Sequence, residues 1–325
     1  MSHWILKFAM VFNLFYPLAS LKAAPATYPT RPIRLVVPFA PGGNIDITAR
    51  AIAPSLSETL GQTIVVDNRS GAGGIIGSDL VAKSLPDGYT LVVASSGTVT
   101  VAPSLYSKMP YDPVKDFSSI ASVSYVPIVL VINPQASPKS VKDFIAMAKS
   151  KPGQMTMSSS GNGTTNQLAG ELFQIETGVK FIHIPYKGSG LALIDLMGGQ
   201  VDMLFDQLSS SSNYIRVGKL RGLVVAGEQR NPVIPEVPTM TESGLKNCDA
   251  GTFTAIMGPA NIAPSVVKIL NHAVNHSLTL RTTRERFNSV GADVLGGTAA
   301  QLDKNLRQEL AKWMRVAKAA NIHIN

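Results

Sequence analysis

From Ile33 onward, short β-branched runs alternate with amphipathic segments along the chain. Ile33–Val37, Thr63–Val66 and Tyr89–Ala94 read as buried parallel strands, each a brief apolar stretch bounded by turn residues. Between them, Asp46–Leu60 and Gly74–Ser84 carry helical periodicity, with Gly61 as a stop and Pro86-Asp87-Gly88 as a turn. This alternation predicts βαβ units, hence an open parallel sheet with helices on both faces. Pro127–Asn133 predicts another buried strand. A second series comes next: helix Val141–Lys149, strand Met155–Met157, helix Thr165–Thr177, strand Lys180–Ile184 and helix Gly190–Met197. It continues with strand Met203–Phe205, helix Ser210–Val217 and strand Gly222–Val225. Pro232, Pro235 and Pro238 exclude regular structure and predict a surface loop. Phe253–Met257 reads as one more strand, and Val266–Leu280, Thr282–Val290 and Ala299–Ala320 as helices.

This order suits an α/β protein of two lobes, the second inserted into the first. The expected division is lobe 1 over 27–126 and 253–325 and lobe 2 over 127–252, with residues 1–26 as a secretory signal. The signal rests on a weakly basic start (His3, Lys7), an apolar stretch from Phe8 to Leu21, and the cleavage pattern Ala24-Pro25-Ala26. That stretch is roughly 14 residues, short of the about 20 a membrane-spanning helix needs, so export to the periplasm is expected rather than anchoring.

Composition narrows the function. With 325 residues, 45% of them hydrophobic and 15% charged, the chain can fill two cores. The net charge of +8 loses two units with Lys7 and Lys22, leaving +6 on the exported form, and the basic residues are scattered. That speaks against nucleic-acid binding and gives a mild field favourable to anions. The single cysteine, Cys248, can form no intrachain disulfide and is expected to be a small, half-buried residue. His272 and His276 lie four apart without an acidic or cysteine companion, so a solvent-facing helix is expected rather than a metal site. Gly71-Ala72-Gly73-Gly74-Ile75-Ile76-Gly77 departs from the dinucleotide fingerprint, its third glycine one residue late, and is read as tight packing at a helix start.

The candidate chemistry lies in two uncharged loops, each joining a strand to a helix. The first is Phe39-Ala40-Pro41-Gly42-Gly43-Asn44 and the second Ser158-Ser159-Ser160-Gly161-Asn162-Gly163-Thr164-Thr165-Asn166. Glycine lets main-chain N–H groups approach a ligand, and the next helix start presents unpaired donors, which suits a carboxylate. Ser, Thr and Asn add donors without a formal cation. Asp46 falls in the first turn of its helix, where it either only caps that helix or acts on the ligand, rejecting excess ligand charge or accepting a hydrogen bond from a ligand ammonium or hydroxyl. Ser95, Ser96 and Thr98 form a third candidate loop, at the strand edge where open sheets bind ligands. Asp206, with Gln207 next to it, occupies the equivalent edge in the second lobe. Two lobes with matched loops suggest a small organic acid held between them. No catalytic set and no cofactor or metal site emerges.

The sequence resembles the Bug (TctC-type) family of periplasmic solute-binding receptors of tripartite tricarboxylate transporters. The resemblance runs from about Tyr28 to the C-terminus and is carried by motifs in order. Among them are Val37-Pro38-Phe39-Ala40-Pro41-Gly42-Gly43, Asp67-Asn68-Arg69-Ser70-Gly71-Ala72-Gly73-Gly74, Ser160-Gly161-Asn162-Gly163-Thr164 and His183-Ile184-Pro185-Tyr186-Lys187-Gly188. It implies a two-lobed periplasmic binding protein of the type II, Venus-flytrap kind, with two open sheets and a ligand cleft between them. The loops matching 39–46 and 158–166 are then expected to pinch a carboxylate through backbone and hydroxyl donors, partly through ordered water. The implied receptor is a monomer without catalytic activity that delivers its ligand to integral-membrane permease subunits (TctA/TctB-like). Ile45 stands where a small or hydroxylated residue is usual and Gln207 where asparagine is frequent; apolar Ile45 points to a less polar acid. Two rivals remain: a ligand-loaded sensor for a membrane signalling partner, and a secreted enzyme using Asp46 and Asp206 as an acid/base pair.

Overall fold

The computed structural model describes residues 28–227, 229–245 and 250–320. The signal segment, its cleavage site and Cys248 lie outside the described residues. The chain opens with β1 (Ile33–Val37), α1 (Asn44–Leu60), β2 (Ile64–Asn68), α2 (Ile75–Ala82) and β3 (Thr90–Ser95). A wide helical turn over Gly97–Val101 leads into α3 (Ala102–Leu105) and the 16-residue β4 (Phe117–Ile132). The second series is α4 (Val141–Ser150), β5 (Thr156–Ser159), α5 (Thr165–Thr177), β6 (Ile182–Pro185) and α6 (Ser189–Met197). It ends with β7 (Met203–Gln207), α7 (Leu208–Arg216) and β8 (Arg221–Val225). β9 (Gly251–Pro259), α8 (Pro264–Thr279), α9 (Arg281–Asn288), β10 (Asp293–Val294) and α10 (Ala299–Ala320) complete the chain.

Each half carries the parallel pairs that the βα alternation predicts: β1 with β2 and β3, and β5 with β6 and β7. The sheet as a whole is mixed, which corrects the all-parallel expectation. β9 runs antiparallel to β3 and β4, and β4 antiparallel to β7 and β8. A strand buried on both faces reads as a plain apolar run in either direction, so the sequence does not distinguish the two. The two expected sheets are also joined. Phe117–Pro127 of β4 pair with β9, while Ile128–Ile132 pair with β7 and β8, giving one curled ten-stranded path. Only the second half of β4 is legible as a strand, because Ser118, Ser119, Ser122 and Ser124 break the apolar run in the first. Their polarity is accommodated locally: Ser124 Oγ and Thr254 Oγ1 share a hydrogen bond of 2.8 Å between β4 and β9.

The proline-rich segment has no regular element, as expected, yet it is not wholly a surface loop. Ile234 and Val237 are buried in the same cluster as α6, and Thr239 bridges to Val225. Among the described residues no helix is long and apolar enough to cross a membrane.

Candidate functional site

The first loop is held in shape by Asp46. Its carboxylate, only 4% exposed, accepts from Gly42 N, from Arg50 Nε on both oxygens and from Asn68 Nδ2, each at 3.0 Å. Asn68 Nδ2 also donates to Phe39 O at 3.0 Å, so one small network fixes both ends of the loop. Burial pushes the Asp46 pKa up, but hydrogen bonds from Arg50, Gly42 and Asn68 outweigh it and leave the carboxyl below its usual range. With this network in place, Gly43 caps α1 without any side-chain hydrogen bond. The first intrahelical bond runs from Ile47 N to Gly43 O at 3.0 Å. The amides of Asn44 and Ile45 precede it and are free to face outward.

The second loop repeats the arrangement. Thr164 caps α5 without a side-chain bond to the helix, because its Oγ1 donates instead to Gly161 O at 2.7 Å. The first intrahelical bond joins Leu168 N to Thr164 O at 3.1 Å, leaving the amides of Thr165 and Asn166 ahead of it. Their side chains are fixed by a buried polar web. Gln207 Nε2 donates to Thr165 Oγ1, Asn166 Oδ1 and Thr252 Oγ1, each at 3.1 Å, and Asn166 Nδ2 donates to Phe205 O at 2.7 Å. Ser159 Oγ bonds His183 Nε2 at 2.6 Å and braces the base of the turn.

These two helix starts meet across one narrow cavity. Of the expected residues, Phe39, Gly43, Asn44 and Ser95 line it from the first βα series; Ser160, Thr164, Thr165, Asn166 and Gln207 line it from the second. Ile45, Gly97, Ser189 and Thr252 complete the wall. None of these residues is charged. Asn44 is 2% exposed; its Oδ1 accepts from Ser209 Oγ of α7 at 2.7 Å, but its Nδ2 has no partner. A buried donor left unpaired costs about 1–3 kcal/mol, which an acceptor reaching this cavity-lining residue would relieve.

Ser189 and Thr252 are not among the residues that the sequence singles out. Ser189 begins α6 after Gly188 at φ 151°, a third strand–glycine–helix loop whose signal is the motif ending in Lys187-Gly188. Thr252 is the second residue of β9 and carries no local signal.

Other expected residues serve the lobe contact or the loop frame. Ala40 N donates to Lys187 O in the β6–α6 loop at 3.0 Å, and Pro41 and Gly42 pack on Gly190. The Gly161 and Gly163 amides are already paired, with Ser159 Oγ at 3.1 Å and Gln167 Oε1 at 2.8 Å. Gly161 is glycine because a Cβ there would stand 2.9 Å from Gly73 Cα, and Asn162 O lies against Gly73. The glycine run at 71–77 is thus a packing device, as expected, and part of it seals the lobes. Thr98 is fully buried and pins its own turn by donating to Ser95 O at 3.1 Å. Ser96 faces a separate recess against Phe253 and α10. His272 and His276 stack on the exposed face of α8.

Asp206 is fully buried behind the cavity wall and does not line it. Burial raises its pKa to about 6, against hydrogen bonds from Ser210, Ser189, Gln207 N and Ser211 that favour the ionised form. A carboxyl raised in the folded state stabilises the fold when protonated, and that stabilisation is lost as pH rises through about 6. Relative to Asp206→Asn, the wild type should therefore gain on the order of 2–3 kcal/mol between pH 7 and pH 4. Urea melts of both proteins across that range check this; parallel curves would contradict it.

The model of the tripartite tricarboxylate transporter family receptor matches residues 48–322. Protein BugT of Bordetella pertussis is 38% identical over 312 residues, covering 95% of both chains. MatC of Rhodopseudomonas palustris, solved with bound malate, is 34% identical with a TM-score of 0.86, covering 89% of this chain and 99% of its own. An R. palustris protein solved with adipate is 35% identical with a TM-score of 0.88, covering 91% and 99%. Solved periplasmic binding proteins thus share the two-lobed fold with its curled sheet. The chain belongs to the TctC, or Bug, family of tripartite tricarboxylate transporter receptors.

Proposed function

We propose that the chain is a periplasmic receptor that closes around a small organic acid and holds it by the N-termini of α1 and α5. One observation carries this reading: two helix starts without side-chain caps and the unpaired Asn44 Nδ2 face a single cavity with no charged wall residue. Helix N-termini attract anions through their free N–H groups and aligned dipoles. Relatives solved with malate and with adipate support an acid as cargo.

In such a receptor the hinge lies in β4 and β9, dividing lobe 1 (27–126 and 253–325) from lobe 2 (127–252). The protein is exported by its N-terminal signal, works as a monomer and hands its cargo to membrane permease subunits. It performs no catalysis: Asp46 is committed to its loop network and Asp206 is sealed behind the wall, so the two do not form an acid/base pair across the cleft.

Phe39 and Ile45 give one side of the cavity an apolar surface, which favours an acid with an aliphatic or aromatic body over a hydroxylated one. Calorimetry with adipate, malate, citrate and benzoate tests both levels. Submicromolar to micromolar binding of at least one acid is expected, with adipate or benzoate ahead of malate. Silence from every acid would overturn the reading. Ile45→Ser should move the malate-to-adipate affinity ratio about tenfold toward malate, the worth of one buried apolar group exchanged for a hydrogen-bonding one.

A further inference from the structure

The acid-receptor reading, on which the role proposed here for Asp206 rests, leaves that one buried ionisable group unused. Asp206 Oδ1 lies 3.4 Å from Asn166 Nδ2, and Asn166, Ser189 and Gln207 line the cavity, so a single layer of side chains separates this carboxyl from the cargo. The groups that hydrogen-bond it are uncharged: Ser210, Ser211, Ser189, Asn166 and the Gln207 amide. Of the elements packed on β7, β4 carries Tyr125 as its titratable residue and β5 carries none. α5 carries Glu171 and Glu176, α6 carries Asp195, and α7 carries Tyr214 and Arg216. Glu171 accepts from Gln174, Asp195 from Tyr186, and Arg216 donates to Asn213, so each of these three is engaged elsewhere.

We propose that Asp206 is a specificity-determining residue of this receptor: when an organic anion enters the cavity, Asp206 takes up a proton from solvent. Two like charges separated by roughly one side chain (~7 Å) in a protein interior oppose each other by about 10–50-fold in affinity. Protonating Asp206 removes that opposition. The reaction balances as ionised Asp206, anion and one proton giving neutral Asp206 with the anion bound; the bond formed is the carboxyl O–H.

The local geometry accommodates both states. Ser210 Oγ stands 2.6 Å from Asp206 Oδ2 and 2.9 Å from Gln207 O. Its hydroxyl can donate to the ionised carboxylate, or turn to Gln207 O and accept from the protonated one. Burial has already lifted the Asp206 pKa to about 6, so the proton is available near neutral pH. The site thereby favours cargo of low charge, since each charge brought in works against the one already buried.

The test is calorimetry of the full chain with adipate at about pH 6.7 in two buffers of different ionisation enthalpy, together with affinities from pH 6 to 8. The wild type should take up between half and one proton per adipate, and its affinity should fall about tenfold from pH 6 to pH 8. Asp206→Asn should bind adipate with no proton uptake and a flat pH profile. Ser210→Ala, which removes a bond favouring the ionised form, should shift the midpoint upward and serves if the first variant fails to fold. Wild-type binding without proton uptake, or uptake that persists in Asp206→Asn, would overturn the proposal while leaving the acid reading intact. No binding of adipate, malate, citrate or benzoate at any pH would instead remove the acid reading, and the proton coupling with it.

Discussion

Gly190→Ala should lower the affinity for the acid at least a hundredfold while leaving the unliganded protein as stable as before, or slightly more so. Gly190 lies in the first turn of α6, and a Cβ there would stand 2.3 Å from Pro41 O and 3.3 Å from the Gly42 backbone, which belong to the opposite lobe in the division proposed above. Main-chain atoms cannot rotate away, so the methyl group acts as a wedge that only opening of the cleft relieves. Within α6 itself alanine is the better helix former by roughly 0.5–1 kcal/mol, so the open protein loses nothing. Cost is confined to the closed state, which is the one that binds. Gly170→Ala is the contrasting control. Its Cβ would fall 2.0 Å from Met157 Sδ inside one lobe, where opening gives no relief, so its melting temperature should drop. Calorimetric titration and thermal melts of the two variants separate the cases; normal affinity in Gly190→Ala would mean that the lobes do not close against each other there.

Asn44→Asp should have an effect of similar size by a different route. The substitution keeps the shape, and the oxygen that accepts from Ser209 Oγ at 2.7 Å can remain in place. It replaces the unpaired Nδ2 of this cavity-lining residue with a second carboxylate oxygen. At the start of α1 the helix dipole offsets part of the cost of burying the new charge at this 2%-exposed position, so thermal melts of the variant accompany the titration. A bound carboxylate about 5 Å away meets a repulsion of about 3 kcal/mol at an effective dielectric of 20, a loss of more than a hundredfold. Asn44→Ala, which only removes the donor, should cost about tenfold. If Asn44→Asp bound the acid within a few-fold of wild type, the cargo would not present an anion to α1.

Much of this was legible in the sequence, for identifiable reasons. The loops at 39–44 and 160–166 announce themselves because strand, glycine and helix start succeed one another within a few residues. The predicted helix Thr165–Thr177 coincides with α5. What the residues could not disclose was which amides the loop had already used. Gly161 and Gly163 look like ligand-facing glycines, yet Ser159 and Gln167 claim their N–H groups. Asp46 invites a ligand role until Arg50 and Asn68 close around it. Thr252 and Ser189 reach the cavity only because β9 and α6 converge there from distant parts of the chain. The direction of β4 and β9 was hidden for a related reason: hydrophobic runs record burial, and burial has no polarity along the strand.

In the receptor proposed above, main-chain amides at two facing helix starts, with Asn44, neutralise the acid in place of lysine or arginine. A crystal structure of the chain grown with adipate tests it most directly. Carboxylate oxygens are expected within about 2.7–3.2 Å of the Asn44 or Ile45 amides, of Asn44 Nδ2 and of the Thr165 or Asn166 amides. Adipate seated on a guanidinium or ammonium group, away from both helix starts, would contradict it.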